Sequence, residues 1–207
     1  MYEKFGKRCF DIAVASVGLF LSTPVLLIVA LGSRRTLGRG PILFRQQRIG
    51  RNDKEFELVK FRTMKDDRDE TGDPLSDRDR VTTFGSFLRS TSLDELPELL
   101  NIVRGDMSLV GPRPLLPRYL GHYNERQRRR HDVLPGLTGL AQTSGRNALS
   151  WEEQFELDVE YVENISFGLD LKILLRTVAE VIYRDETRTA AIETKPFFEG
   201  SDSIENS

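Results

Sequence analysis

Residues 12–31 read IAVASVGLFLSTPVLLIVAL, an uncharged run of about 20 residues, the length a straight helix needs to cross a bilayer core. Basic residues flank it on both sides, Lys4, Lys7 and Arg8 before it and Arg34, Arg35 and Arg39 after it. A cleaved export signal would explain the basic start and the small-x-small sequence Ala30-Leu31-Gly32. Asp11 at the mouth of the run and the arginines just beyond the cut oppose that reading. A spanning helix fits the length, but spanning segments bias Lys and Arg to one side, and here both sides carry them. A helix that enters and leaves by the same face meets both constraints. Pro24, near the middle, removes a backbone hydrogen bond and crowds the preceding turn, and Ser22 and Thr23 can satisfy the freed groups locally. The expectation is a re-entrant helix whose basic ends meet anionic lipid head groups, at roughly 1 kcal/mol per basic residue. A kinked spanning helix stays open.

The rest of the composition limits what can surround this helix. A chain of 207 residues buries one core and leaves little for a second domain beside an anchor. With 39% hydrophobic and 30% charged residues it is not a multi-span membrane protein. The single Cys9 cannot form an internal disulfide and has no Cys partner for zinc, which makes a cytoplasmic face the default. Residues 1–65 hold 13 of the 30 Lys/Arg but 5 of the 32 Asp/Glu, so the positive charge gathers around the apolar run. The expected division is an anchor at 1–36, a core at 37–184 and a polar tail at 185–207.

Beyond the anchor, Ile42-Leu43-Phe44 and Phe56 to Phe61 have strand composition and are separated by the polar turn Gly50 to Lys54, which predicts a β-hairpin. Lys60 and Arg62 emerge from its second strand. Lys65 to Arg80 alternates acidic and basic residues around Gly72 and Pro74 and reads as a solvated loop. In Ser92-Leu93-Asp94-Glu95-Leu96-Pro97, Ser92 and Glu95 have capping-box spacing and Pro97 is tolerable only in a first turn, so a helix is predicted to begin near Ser92. Asp94 and Glu95 would then sit where backbone N–H groups and the helix dipole favour a carboxylate or a phosphate. Acidic residues in a first turn commonly do no more than stabilise it.

Ser150 and Glu153 predict a second capping box. In the helix that follows, Trp151, Phe155, Val159 and Val162 form an apolar arc that includes Asp158. An ionised carboxylate there needs a cation or metal, and a structural salt bridge and a site role both meet that need. Asp170 opens an amphipathic helix from Leu171 to Tyr183, where it can serve as a cap. The basic run Arg126, Arg128, Arg129, Arg130 and His131 lacks the aromatic platform of a nucleic-acid site, so lipid head groups suit it better. His122 and His131 lack metal-ligand spacing, and no Ser–His–Asp arrangement stands out.

Gly105 to Pro114 (GDMSLVGPRP), Pro135 to Gln142 (PGLTGLAQ) and Gly145-Arg146-Asn147 complete a set of motifs. With the bent apolar helix, Lys60 to Met64, Leu93 to Pro97, and the helices around Asp158 and Asp170, this set resembles the bacterial sugar transferase family, in particular its small monotopic phosphoglycosyl transferases. The likeness covers nearly the whole chain. The extra membrane helices and N-terminal domain of larger members have no counterpart in it, so the minimal form is expected.

That resemblance implies an α+β, predominantly helical fold. A re-entrant N-terminal membrane helix, amphipathic interfacial helices and a small β-hairpin would surround one catalytic core on the cytoplasmic face of the bacterial inner membrane. It implies that Asp94 attacks the β-phosphorus of a UDP-sugar, expels UMP and passes the phosphosugar to polyprenyl (undecaprenyl) phosphate, with ping-pong kinetics. An anionic nucleophile approaching a pyrophosphate calls for Mg²⁺, with Glu95 and then Asp94 as its protein ligands. Arg113 and Arg146 suit the phosphate oxygens, with Lys60, Arg62, Asp158 and Asp170 as further substrate-binding candidates. Surface ion pairs are the alternative for both arginines, and Arg113, locked between Pro112 and Pro114, can instead shape its turn. Anionic lipids and downstream glycosyltransferases are the expected partners, and an N-acetylated donor such as UDP-N,N′-diacetylbacillosamine is the sugar the likeness suggests. A nucleotide-sugar glycosyltransferase, which would release UDP, and a non-catalytic membrane scaffold, which would release neither nucleotide, are the competing classes.

Overall fold

The computed structural model describes residues 2–38, 40–67, 69, 71–73, 75–145, 149–183, 197, 198 and 200. Helix α1 (Lys7–Thr36) is long and apolar enough to cross a membrane, and it stays helical through Pro24. Ser22 Oγ and Thr23 Oγ1 donate to the Leu19 carbonyl at 3.3 and 2.9 Å. They therefore brace the turn beside the Phe20 carbonyl that Pro24 leaves without its donor, and do not cap that carbonyl itself.

One stripe of α1 faces the rest of the chain: Lys7, Asp11, Ala15, Val29 and Ser33 are buried. Ala15 joins the main core with Leu58, Leu99, Ile102 and Tyr161, whereas Val29 joins a second cluster with Phe61 and Leu88. These two docking points lie about 21 Å apart along the helix axis. Between and around them Val17, Phe20, Leu21, Leu27, Ile28 and Leu31 are 57–78% exposed. The two charged members of the stripe are paired. Asp11 accepts from Ser108 Oγ at 2.7 Å and from the Leu109 N–H at 3.2 Å, and Lys7 Nζ donates to Asp170 Oδ2 at 2.7 Å.

The predicted hairpin is present as β1 (Leu43–Ile49) and β2 (Glu55–Phe61), antiparallel, with Leu43 opposite Phe61 and Ile49 opposite Glu55. Its turn places Asn52 and Asp53 at φ 56° and 60°, the left-handed region their short polar side chains tolerate. After α2 (Asp77–Arg80), helix α3 (Thr83–Ser90) packs so closely on the chain leaving β2 that a Cβ on Gly85 would lie 1.9 Å from the Thr63 carbonyl oxygen. Then come α4 (Glu98–Arg104) and β3 (Ser108–Val110), which pairs in parallel with β4 (Gly136–Thr138) across an excursion that contains α5 (Glu125–Arg128). A side chain on Gly136 would meet the Gly111 nitrogen at 2.1 Å, so this pairing depends on glycine.

Helices α6 (Leu140–Ser144), α7 (Trp151–Glu163) and α8 (Phe167–Ile182) complete an α+β, predominantly helical architecture. The capping box predicted for α7 is formed: Ser150 Oγ accepts from the Glu153 N–H at 3.1 Å, and Glu153 Oε2 accepts from the Ser150 N–H at 2.7 Å. The amphipathic helix predicted from Leu171 is α8, which leaves Leu171, Leu175, Val178 and Val181 exposed along one face. Phe167 at its start meets Phe10 edge-on at 5.6 Å, joining this face to the exposed side of α1.

Three sequence expectations change. Ser92 does not cap a helix: it adopts φ 57°, its side chain makes no capping bond, and Leu93–Glu95 forms a single 3₁₀ turn before α4 begins after Pro97. The arginine run does not present free charge to lipid. Arg126 pairs with Glu156, Arg128 with Asp53, Arg129 with Glu163 and Arg130 with Asp158, while His131 bonds Asp53 at 2.6 Å. Within the stretch read as a polar tail, Phe198 is buried and Phe197 stacks on Tyr119 at 4.7 Å.

Candidate active site

Four charged side chains converge where the end of β2, the 3₁₀ turn, the first turn of α4 and the Pro112-Arg113-Pro114 turn meet. Lys60 Nζ donates to Glu95 Oε1 at 2.7 Å and makes an ion pair with Glu98 Oε1 at 3.0 Å. Arg113 Nη2 donates to the same Glu95 Oε1 at 2.9 Å. The Glu98 side chain is 3% exposed, and Arg113, at 41%, is the member open to solvent. Asp94 precedes Glu95 in the turn, half-buried, and its carboxylate makes no ion pair with another described residue.

These contacts separate the carboxylates electrostatically. Burial would raise the Glu95 carboxyl, but Arg113 and Lys60 outweigh it and hold it at about 2. Burial, reinforced by the neighbouring Glu95 charge, pushes Asp94 above the usual carboxylate range, with Lys60 and Arg89 opposing from farther off. Burial raises Glu98 to about 7, against the pull of Lys60. Two adjacent carboxylates thus have different characters: one locked as an anion between two cations, the other more basic and unpaired.

The turn that presents Arg113 is held at four successive carbonyls. Pro112 O accepts from the Gly136 N–H at 2.9 Å, Arg113 O from Arg130 Nη2 at 2.8 Å, Pro114 O from Arg48 Nη1 at 3.2 Å and Leu115 O from the Ile49 N–H at 3.0 Å. The turn is both a presenter of the guanidinium and a rigid element of the fold, so the two sequence readings of Arg113 are compatible.

The remaining predicted residues fall elsewhere. Arg62 donates to the Leu37 carbonyl at 3.1 Å and tethers the end of α1 to β2. Asp158 is buried against Arg130, with Nη2 and Nε at 2.7 and 3.0 Å from Oδ2. Asp170 is not the cap of α8, a place taken by Ser166. It is a buried hub that accepts from Tyr2 and Lys7 and lies 2.7 Å from the Tyr161 hydroxyl. Arg146 lies outside the described residues. Glu98 was not singled out from the sequence. Its position three residues after Glu95, at the first turn of a helix opened by proline, was the available signal.

The bacterial sugar transferase family model matches residues 2–184. The chain belongs to the bacterial sugar transferase family. It is 48% identical over 96% of its length to the uncharacterized sugar transferase EpsL of Bacillus subtilis, covering 98% of that protein. It is 40% identical to the exopolysaccharide production protein ExoY of Sinorhizobium fredii, with 84% of each chain covered. It is 39% identical to the UDP-glucose:undecaprenyl-phosphate glucose-1-phosphate transferase of Caulobacter vibrioides, with 86% of this chain and 70% of the relative covered. As a bacterial sugar transferase the chain is an enzyme, and the charged cluster around Asp94 is its candidate active site.

Proposed function

We propose that this sugar transferase moves a sugar-1-phosphate from a UDP-sugar to undecaprenyl phosphate, releasing UMP, through a phosphosugar carried on Asp94. The observation that carries the assignment is the division of labour in the acidic pair. Glu95 is engaged by Lys60 and Arg113, whereas Asp94 has no ion pair among the described residues and is of raised basicity, which suits a nucleophile. In the first displacement an Asp94 oxygen bonds to the β-phosphorus and the bridging oxygen leaves with UMP. In the second, an oxygen of undecaprenyl phosphate bonds to that phosphorus and the Asp94 carboxylate is regenerated, with no net proton transfer. The exposed edge of Arg113 suits the phosphate oxygens, since a guanidinium carries more donors than Glu95 uses.

Carboxylate oxygens are the donor class that Mg²⁺ takes, and among the described residues no group of three His, Cys, Asp or Glu side chains forms a ready metal cage. Asp94 and the second Glu95 oxygen, since Lys60 and Arg113 both take Oε1, would hold the ion together with substrate phosphates, and the bound ion would neutralise charge on the pyrophosphate. The reading places the enzyme on the cytoplasmic face of the inner membrane as a monotopic protein. Docking of α1 at two points, Ala15 on the main core and Val29 on the second cluster, with an apolar outer face between, supports entry and exit by one leaflet. The donor panel should extend beyond N-acetylated sugars, because relatives are named for glucose and for galactose transfer.

Mass spectrometry of the protein mixed with UDP-sugars and Mg²⁺, without lipid acceptor, tests the proposal. Wild type should gain the mass of one phosphosugar and Asp94→Asn should not. Turnover with lipid but no adduct from any donor would remove Asp94 as nucleophile, and release of UDP in place of UMP would refute phosphosugar transfer.

A further inference from the structure

The match to the sugar transferase family ends at residue 184, yet a residue beyond it belongs to the core. Phe198 is 1% exposed, its ring 5.0 Å from that of Phe155, edge to face, and 6.3 Å from that of Tyr123. The same two rings flank the Arg130 guanidinium, whose central carbon lies 5.4 Å from the Phe155 centroid and 5.7 Å from that of Tyr123. The guanidinium is fixed at its edges as well, by Asp158, by the Tyr123 hydroxyl at 3.2 Å and by the Arg113 carbonyl at 2.8 Å. Phe198 is therefore the outer wall of a box whose contents grip the turn presenting Arg113. Its neighbour Phe197 packs differently, 37% exposed on Tyr119 with Arg118 over its ring at 4.6 Å, at the rim and away from Arg130.

We propose that Phe198 is a positioning residue: by closing the aromatic box around Arg130 it fixes the Arg113 carbonyl, and with it the Arg113 guanidinium beside Glu95. The functional part of this proposal rests on Arg113 binding donor phosphates, as argued above. Without the Phe198 ring, Tyr123 and Phe155 gain room to turn outward, and Arg130 loses the surfaces that hold its plane. The Arg113 backbone then loses a donor that nothing else replaces. A displacement of about 1 Å at a phosphate-binding group, caused from a distance, is enough to lower turnover by as much as two orders of magnitude.

The test uses the full chain in lipid nanodiscs, with a donor that wild type turns over, undecaprenyl phosphate and Mg²⁺. Phe198→Ala, Phe198→Leu and Phe197→Ala are compared for donor KM, kcat and thermal midpoint. Emission of Trp151, the chain's single tryptophan, whose ring is 6.0 Å from Phe198, reports opening of the pocket. Phe198→Ala should shift Trp151 emission to the red and lower kcat/KM roughly tenfold well below its midpoint, with Phe197→Ala near wild type and Phe198→Leu between. In an Arg113→Lys background the same substitution should cost less than about threefold, because the guanidinium it positions is gone. An undiminished loss in that background, or an open pocket with unchanged kcat/KM, overturns the proposal. If Phe198→Ala does not fold, Phe198→Leu carries the cycle. If wild type releases no UMP from any donor, the functional reading fails and UDP affinity decides positioning: weaker binding in the Phe198 variants only when Arg113 is present supports it, and equal binding refutes it.

Discussion

The buried pair Arg130–Asp158 offers a decisive perturbation. Both side chains are all but excluded from solvent, at 1% and 3% exposure, and their charges meet at 2.7 Å. Removing one partner strands the other in a poorly hydrated interior, and for buried pairs that penalty is about 3–5 kcal/mol, a large fraction of the stability of an ordinary domain. Asp158→Ala should therefore destabilise by that amount, and Arg130→Met by a similar or larger one, since it also leaves the Arg113 carbonyl and the Tyr123 hydroxyl without a donor. Combining Arg130→Met with Asp158→Leu removes both charges and fills the space with apolar atoms. The double variant should lose at least ~2 kcal/mol less than the sum of the single losses. Activity should not follow, because the donor to the Arg113 carbonyl stays absent. Denaturant unfolding of detergent-solubilised protein, followed by circular dichroism, gives the energies, and UMP release gives the activity. Additive energies would refute the buried-pair argument. An Asp158→Asn variant of full stability and no turnover would return Asp158 to the list of substrate-binding residues.

Two shorter predictions concern Glu98 and the β3–β4 pairing. Burial raises the Glu98 carboxyl from 4.5 to about 7, so its protonated form is favoured in the folded state; the resulting stability is full below pH 4.5 and is lost as pH rises through 7. Glu98→Gln should accordingly match wild type near pH 4 and exceed it at pH 8 by at most about 3 kcal/mol, measured as unfolding free energy against pH. Equal pH slopes for the two proteins would contradict this. Gly136→Ala should collapse the yield of folded protein, since the new Cβ has the Gly111 nitrogen at 2.1 Å and the Thr138 oxygen at 2.4 Å, whereas Gly121→Ala, with nothing within 4 Å, should leave the thermal midpoint unchanged. A folded, active Gly136→Ala would show that the strand pair can spread.

What the sequence disclosed was whatever local chemistry decides alone. The hairpin follows from an Asn-Asp turn between strand-forming runs, and the start of α7 from a Ser–Glu pair that makes both bonds of its capping box. Ser92 and Glu95 carry the same signature and fail, because Glu95 has stronger suitors. A capping bond contributes about 1 kcal/mol, and two cations at 2.7 and 2.9 Å outbid it. Likewise the apolar arc around Asp158 signalled a buried carboxylate, but its partner comes from the arginine run 28 residues earlier, which read as a lipid-facing patch. In both cases the missing information was tertiary: which charge a fold brings opposite which. Two adjacent phenylalanines in an otherwise polar tail were the available sign that residues 197 and 198 dock, since only burial offsets the cost of exposing such rings.

The 3₁₀ turn decides which of the neighbouring carboxylates meets the cations. Successive side chains diverge by about 100–120° in either kind of helix, so one of the pair is presented to Lys60 and Arg113, and in this turn it is Glu95. A regular α-helix from Ser92, as the spacing first suggested, would tie Glu95 back to its own N-terminus and leave Lys60 and Arg113 to attract Asp94. The left-handed Ser92 and the helix-opening Pro97 forbid that arrangement from either end. Backbone geometry thus decides which member of the acidic pair is neutralised by the protein, and the other is left basic and unpaired for the chemistry.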